Sequence, residues 1–315
     1  MGKIAFIFAG QGAQAVGMGK ELCENFKCAD RIFDEATTAL GFDIKDMIFN
    51  GDAETLMITE NTQPTIVTMS IAVYEVLKEK GIKPDVVAGL SLGEYSAHIA
   101  SGSISFRDGV RLVKKRGRFM QEEVAPGIGQ MAAIIALSSE AVLEACEEAS
   151  EIGVCEPANF NCPGQIVISG EKAAVEKCCE ICKEKGAKRA LPLAVSAPFH
   201  CSMLKGAGEK LRNELDGVSV SDMEIPVITN VTADYVADKD KIKELLVKQV
   251  SSSVKWEESI RRMIDDGVDT FIEVGPGKAL SGFVKKISKD VSVYNVEDMA
   301  SLNVTLEGLK NNVRR

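Results

Sequence analysis

The stretch Val86-Val87-Ala88-Gly89-Leu90-Ser91-Leu92-Gly93-Glu94 decides how this chain is read. It sets a G-x-S-x-G pentapeptide between the Val-rich run 85–90 and the helical run 94–100. That context fits a strand–turn–helix elbow, in which the sharp turn strains the serine backbone and glycines two residues to either side avoid collision. Ser91 Oγ then points outward. The Leu92 amide falls at a helix N-terminus, where a free N–H and the helix dipole stabilise an oxyanion. A serine in an inert turn is the competing reading of the same residues.

Outward from the elbow, strand-like and helix-like runs alternate: residues 3–8, helical patterns up to Gly81, the strand 85–90, and a helix beginning at Gly93. This alternation predicts an α/β fold with a largely parallel sheet. Residues 107–123 repeat apolar side chains at Val110, Val113 and Met120, continued by Val124, a helical period with Gly117 on the same side. After Pro126 and Gly127 the texture becomes β-α-β-β-α-β over 131–137, 139–150, 154–159, 165–169, 171–186 and 189–195, the order of a ferredoxin-like unit. From Ser196 the α/β pattern resumes, with a strand at 270–274 stopped by Gly275-Pro276-Gly277. The expected organisation is a discontinuous domain, 1–126 and 196–315, carrying an inserted subdomain, 127–195. A length of 315 residues suits that division, at roughly 150 residues per domain.

With 45% hydrophobic and 26% charged residues, disorder, collagen-like repeats and disulfide scaffolds drop out. Lys and Arg number 37 against 46 Asp and Glu, a net charge of −9 that argues against nucleic acid as a partner. Cysteines are odd in number, 9, and Cys146, Cys178 and Cys182 sit in helix-like stretches, which fits reduced thiols in a cytoplasmic protein. The apolar start, 4–9, is too short for a signal segment, and no run approaches ~18 apolar residues, so no membrane or export signal is expected.

A serine hydroxyl needs an adjacent base, and the chain offers 2 histidines. His98 lies seven residues after Ser91, about 10 Å along the following helix, too far to accept its proton. His200 remains by elimination, in Ser196-Ala197-Pro198-Phe199-His200. The loop after the first strand, Ala9-Gly10-Gln11-Gly12-Ala13-Gln14-Ala15, also fits a dinucleotide pattern, but that needs an acidic residue ~20 positions on at the end of a second strand. Asp30, Asp34 and Glu35 fall instead in a helical stretch. In a serine acyltransferase the same loop aims a second backbone N–H at the oxyanion, with Gln11 the candidate donor and an inert turn the alternative. Arg116 sits at the edge of an apolar helix face, pointing inward or snorkelling to solvent. Cys179 and Cys182 have C-x-x-C spacing without a second pair or histidines, so solvated or half-buried thiols are expected and no metal site.

Taken together, Gly10-Gln11-Gly12, Thr62-Gln63-Pro64, Gly89-Leu90-Ser91-Leu92-Gly93-Glu94, Arg116-Gly117, Asn159-Phe160-Asn161-Cys162-Pro163-Gly164-Gln165, Phe199-His200 and Val274-Gly275-Pro276-Gly277 resemble the malonyl-CoA:acyl carrier protein transacylase family over almost the whole chain. The resemblance implies an α/β-hydrolase-like core with a ferredoxin-like insert. It further implies that Ser91 takes the malonyl group from coenzyme A with His200 as base, Gln11 and Leu92 giving the oxyanion amides. The group then passes to the phosphopantetheine thiol of acyl carrier protein, for fatty acid synthesis, with no bound cofactor. The resemblance matches Gln249 to the residue whose main-chain carbonyl orients the histidine, and Arg116 to the arginine that pairs with the free malonyl carboxylate. Gln63, Met120, Asn159 and Phe199 match pocket positions. Leu90 departs from the histidine often found before the serine, and Cys162 from a common serine. Because acyl carrier proteins are acidic in this family, Lys188 with Arg189, and Lys285 with Lys286, are the candidate docking patches on an acidic chain. A serine thioesterase or esterase, an acyltransferase serving a polyketide synthase, and a non-catalytic nucleotide-binding module are the alternatives.

Overall fold

The computed structural model describes residues 2–195 and 197–313. Met1, Ser196, Arg314 and Arg315 lie outside them, and with them the expected bounds at 1, 196 and 315.

Nine strands are described: β1 (Lys3–Phe8), β2 (Val86–Gly89), β3 (Gly129–Ile135), β4 (Cys155–Cys162), β5 (Gln165–Glu171), β6 (Arg189–Pro192), β7 (Val227–Ile228), β8 (Val268–Val274) and β9 (Ser292–Val296). Five form one sheet in the order β7-β2-β1-β8-β9, every neighbouring pair parallel. β1 occupies its centre. Its run Lys-Ile-Ala-Phe-Ile-Phe is apolar on both faces because parallel strands are covered by helices on both sides. Phe6 and Phe8 pack into the main core, whereas Ala5 and Ile7 face Trp256, Ile260 and Met263 on the other side of the sheet.

The remaining four strands form an antiparallel sheet, ordered β4-β5-β3-β6. With the helices Ser139–Ala149 and Lys172–Glu184 this is the β-α-β-β-α-β arrangement expected for the segment after Pro126. Alternation along β3 divides it between two cores: Ala132 and Ile134 meet the two helices, while Met131 and Ala133 face the main core.

One expectation fails here. Cys179 and Cys182 are neither solvated nor half-exposed but buried, together with Cys146, Cys155 and Cys178, in the apolar layer between the helices and the small sheet. Free cysteine behaves there as a small hydrophobe, and C-x-x-C spacing on a helix does not distinguish a buried stripe from an exposed one. The Sγ atoms of Cys146, Cys155 and Cys178 lie within 4.8 Å of one another, without Cys179.

Candidate active site

The elbow follows from local sterics. β2 ends at Gly89, the helix Gly93–Ala100 begins four residues later, and Ser91 between them has φ 53°. A Cβ on Gly89 would fall 1.9 Å from the Gly93 carbonyl carbon, and one on Gly93 would fall 2.1 Å from the Phe8 carbonyl oxygen. Both positions therefore demand glycine, because the turn folds back onto itself and onto β1. Asn230, just after β7, clamps the turn: its Oδ1 accepts from the Ser91 N–H at 2.6 Å and its Nδ2 donates to the Gly89 carbonyl at 2.7 Å.

His200 reaches the elbow from the segment after the small sheet. Its Nε2 is 2.6 Å from Ser91 Oγ, and its Nδ1 is 2.9 Å from the main-chain oxygen of Gln249. A carbonyl only accepts, so Nδ1 carries the proton and Nε2 is free to accept from the serine hydroxyl. Burial, then the nearby Arg116 charge, depresses the His200 imidazole to about 4, opposed by the carbonyls of Gln249 and Ser252. His200 is thus neutral at physiological pH, as a general base requires. His98 is buried elsewhere, 3.0 Å from Ser103 Oγ, and burial likewise takes it down to about 4.

Arg116 resolves inward. It is 1% exposed, on the helix Phe106–Glu122. Nη1 donates to Gln63 Oε1 at 2.9 Å, while Nη2 donates to Gln249 Oε1 at 3.0 Å and to Ser91 Oγ at 3.2 Å. Its guanidinium also stacks 5.2 Å from the Tyr95 ring centroid. Nε has no hydrogen-bond partner among the described residues, and no described carboxylate forms an ion pair with this arginine. A buried cation surrounded by neutral oxygens, one of its donors resting on a serine hydroxyl, is arranged to receive an anion.

These groups open on a cavity of about 210 Å³ lined in part by Gln11, Gln63, Leu92, Met120, Asn159 and Phe199. The main-chain amides of Gln11 and Leu92, two residues of that lining, make no hydrogen bond to another described residue, so both donors remain unpaired. Met120 Sδ steadies the Gln63 amide at 3.9 Å. The loop at 9–15 does not lead directly into a helix; the next one starts at Lys20, so the pyrophosphate cradle of a dinucleotide fold is missing. Lys188, Arg189, Lys285 and Lys286 are exposed and lie outside the cavity lining.

Two residues of the site had no role in the sequence reading. Glu94, within the quoted motif, is fully buried; its Oε2 accepts from the Asn230 main-chain N–H and from Gln249 Nε2, each at 2.8 Å. Burial pushes its carboxyl up to about 7 against the pull of Asn230, Gln249 and Arg116. Asn230, 139 residues beyond Ser91, carries no local signal at all. Gln249 also does more than its carbonyl suggested, since its side-chain amide joins Arg116, Glu94 and the Ser91 carbonyl oxygen.

Residues 5–313 match the acyl transferase domain family. The malonyl CoA-acyl carrier protein transacylase of Bacillus subtilis is 50% identical over 311 residues, 98% of each chain, and that of Escherichia coli K12 is 44% identical over 308 residues, 98% of this chain and 100% of the other. The chain belongs to the malonyl-CoA:acyl carrier protein transacylase family. Among solved structures of this transacylase family, the Clostridium perfringens enzyme superposes with a TM-score of 0.96 at 52% identity, covering 98% of both chains. A malonyl-transacylase solved in complex with its type II PKS acyl-carrier protein superposes with a TM-score of 0.94 at 41% identity, covering 97% of this chain and 99% of that one. No helix among the described residues is long and apolar enough to cross a membrane.

Proposed function

We propose that this transacylase moves the malonyl group from malonyl-CoA to the phosphopantetheine thiol of acyl carrier protein through an ester on Ser91. The observation that carries the choice of acyl group is the buried Arg116 guanidinium 3.2 Å from the serine hydroxyl. In a malonyl group the carboxylate carbon and the reacting carbonyl carbon are about 2.5 Å apart, so a carboxylate on Arg116 sets the thioester beside Oγ.

Ser91 Oγ attacks the thioester carbon while His200 Nε2 takes its proton. The carbonyl oxygen, now an oxyanion, is held by the Gln11 and Leu92 amides. As the intermediate collapses, His200 returns the proton to the departing coenzyme A thiolate. In the second half-reaction His200 deprotonates the carrier thiol, which attacks the malonyl ester, and Ser91 recovers its proton. The Gln249 carbonyl holds the imidazole throughout, and every role falls to the chain's own groups, with neither a resident cofactor nor a metal. Gln63, Met120, Asn159 and Phe199 shape the acyl pocket.

On this reading 1–126 with 196–315 is the catalytic domain and 127–195 the inserted subdomain, in a cytoplasmic protein that serves fatty acid synthesis. Arg189 and Lys286 flank one row of the small sheet: Arg189 pairs with Ile135, Ile135 with Gln165, and Lys286 Nζ lies 3.4 Å from Gln165 Oε1. With Lys188 and Lys285 they offer an acidic carrier protein one basic margin. Gln165 is two residues, about 7 Å, along β5 from cavity-lining Val167. Intact-mass analysis after mixing with malonyl-CoA tests the reading. One malonyl adduct on the native chain and none on Ser91→Ala supports it, and an unmodified native chain refutes it. Release of free malonate in place of carrier-bound product would favour a thioesterase.

A further inference from the structure

Arg116 poses an electrostatic problem that the roles above leave open. A guanidinium in a water-poor site keeps its charge, and isolating it there is costly unless a negative group lies near. A carboxylate in direct bidentate contact would solve this but would occupy the fork that a substrate carboxylate needs. The structure does neither. The Gln249 amide stands between the two charges, its Oε1 accepting from Arg116 Nη2 at 3.0 Å and its Nε2 donating to Glu94 Oε2 at 2.8 Å. Through that amide Glu94 Oε2 and Arg116 Nη2 are at most about 8 Å apart.

Resting on the reading of Arg116 as the carboxylate receptor, we propose that Glu94 is a positioning residue, the countercharge of Arg116 held one amide away, so that the guanidinium is compensated yet stays open. The relay is oriented to match: the amide nitrogen faces Glu94 and the amide oxygen faces the arginine. The Asn230 main-chain N–H holds the same carboxylate oxygen at 2.8 Å, fixing Glu94 against the Ser91 elbow. Glu94 is 0% exposed and does not line the cavity, so it acts through Gln249 and Arg116 rather than on substrate.

The test is a double-mutant cycle at about pH 8, above the Glu94 value of about 7, so that the charged form dominates in the native chain. Glu94→Gln preserves shape and removes charge; Arg116→Met removes the cation. The countercharge role requires Glu94→Gln to lower the melting temperature by about 4–8 °C more when Arg116 is present than in the Arg116→Met background. Additive effects overturn it. Should Arg116→Met alone fail to fold, recovery of folded protein on adding Glu94→Gln supports the assignment, and failure of both single and double variants overturns it.

A second readout, which a purely structural role would not move, is the affinity for free malonate by calorimetry. Without the Glu94 charge the anion binds Arg116 about tenfold more tightly, whereas equal or weaker binding than in the native chain overturns the proposal. Absence of malonate binding to either protein would count against Arg116 as receptor, and the thermal cycle, which needs no ligand, would still decide the role of Glu94.

Discussion

Replacing Arg116 by Met should erase most of the preference for malonyl over acetyl groups. In the free site Nη1 already donates to Gln63, and Nη2 to Gln249 and Ser91, so these bonds are not new when substrate arrives. A malonyl carboxylate replaces the neutral hydroxyl at Nη2 and gains a guanidinium N–H that those three bonds leave unused. One new charge-assisted bond contributes about 1.5–3 kcal/mol and the exchange of a neutral acceptor for an anionic one about 1 more, a selectivity of roughly 10²–10³. An acetyl group leaves the arginine in its free-state bonds, which keeps the value below that of a fork with no other partner. The assay is kcat/KM for malonyl-CoA and acetyl-CoA with the same carrier protein, with Arg116→Lys as the variant that keeps charge but loses the fork and falls between. Met at 116 leaves Gln63 and Gln249 with one fewer donor, so thermal unfolding is followed in parallel. An Arg116→Met enzyme that still acylates Ser91 and keeps the native malonyl-to-acetyl ratio within about threefold would refute the assignment.

Other expectations bear on the base, the elbow and the docking margin. Because His200 is depressed to about 4 from an ordinary 6.5, its neutral form contributes stability that is present above pH 6.5 and lost as pH falls toward 4; the acid limb of kcat/KM for the free enzyme should lie near 4, and a limb near 6.5 would contradict the burial argument. A bound malonyl carboxylate offsets the Arg116 charge that helps depress His200, so the acid limb of kcat should lie at higher pH for malonyl-CoA than for acetyl-CoA; coincident limbs would deny that coupling. Asn230→Ala removes the clamp on Ser91 N and the Gly89 carbonyl, and should cost about 2–4 kcal/mol in denaturant unfolding and slow acylation at least tenfold in stopped-flow; native acylation would mean that the turn holds itself. Lys285→Glu with Lys286→Glu should raise KM for the carrier protein about fivefold while leaving hydrolysis of a small thioester unchanged, and an unchanged KM would remove that patch from the docking surface.

Fold was legible where physics is local. The apolar run of β1, the glycines of 89–93 and the β-α-β-β-α-β texture after Pro126 each encode backbone geometry within a few residues, and the elements stand where that texture put them. Short β7 and partly buried β9 have no local mark, because two residues, or a run without alternating burial, carry no periodic signal. The burial of Cys179 and Cys182 has no local mark, since nothing in a C-x-x-C spacing reports which face of a helix is covered.

Sequence by itself pointed to a strained serine turn on a parallel sheet, and elimination between two histidines left His200 as the candidate base. Tertiary structure alone decided that Arg116 turns inward, that Gln249 joins base, arginine and carboxylate through one residue, and that Asn230 and Glu94 belong to the site. The difference is one of range: a turn is dictated by neighbours in the chain, whereas a buried charge is defined by whichever groups folding brings within a few ångströms. Glu94 is close to Ser91 in the chain, but Arg116, Asn230 and Gln249 come from 25 to 158 positions away.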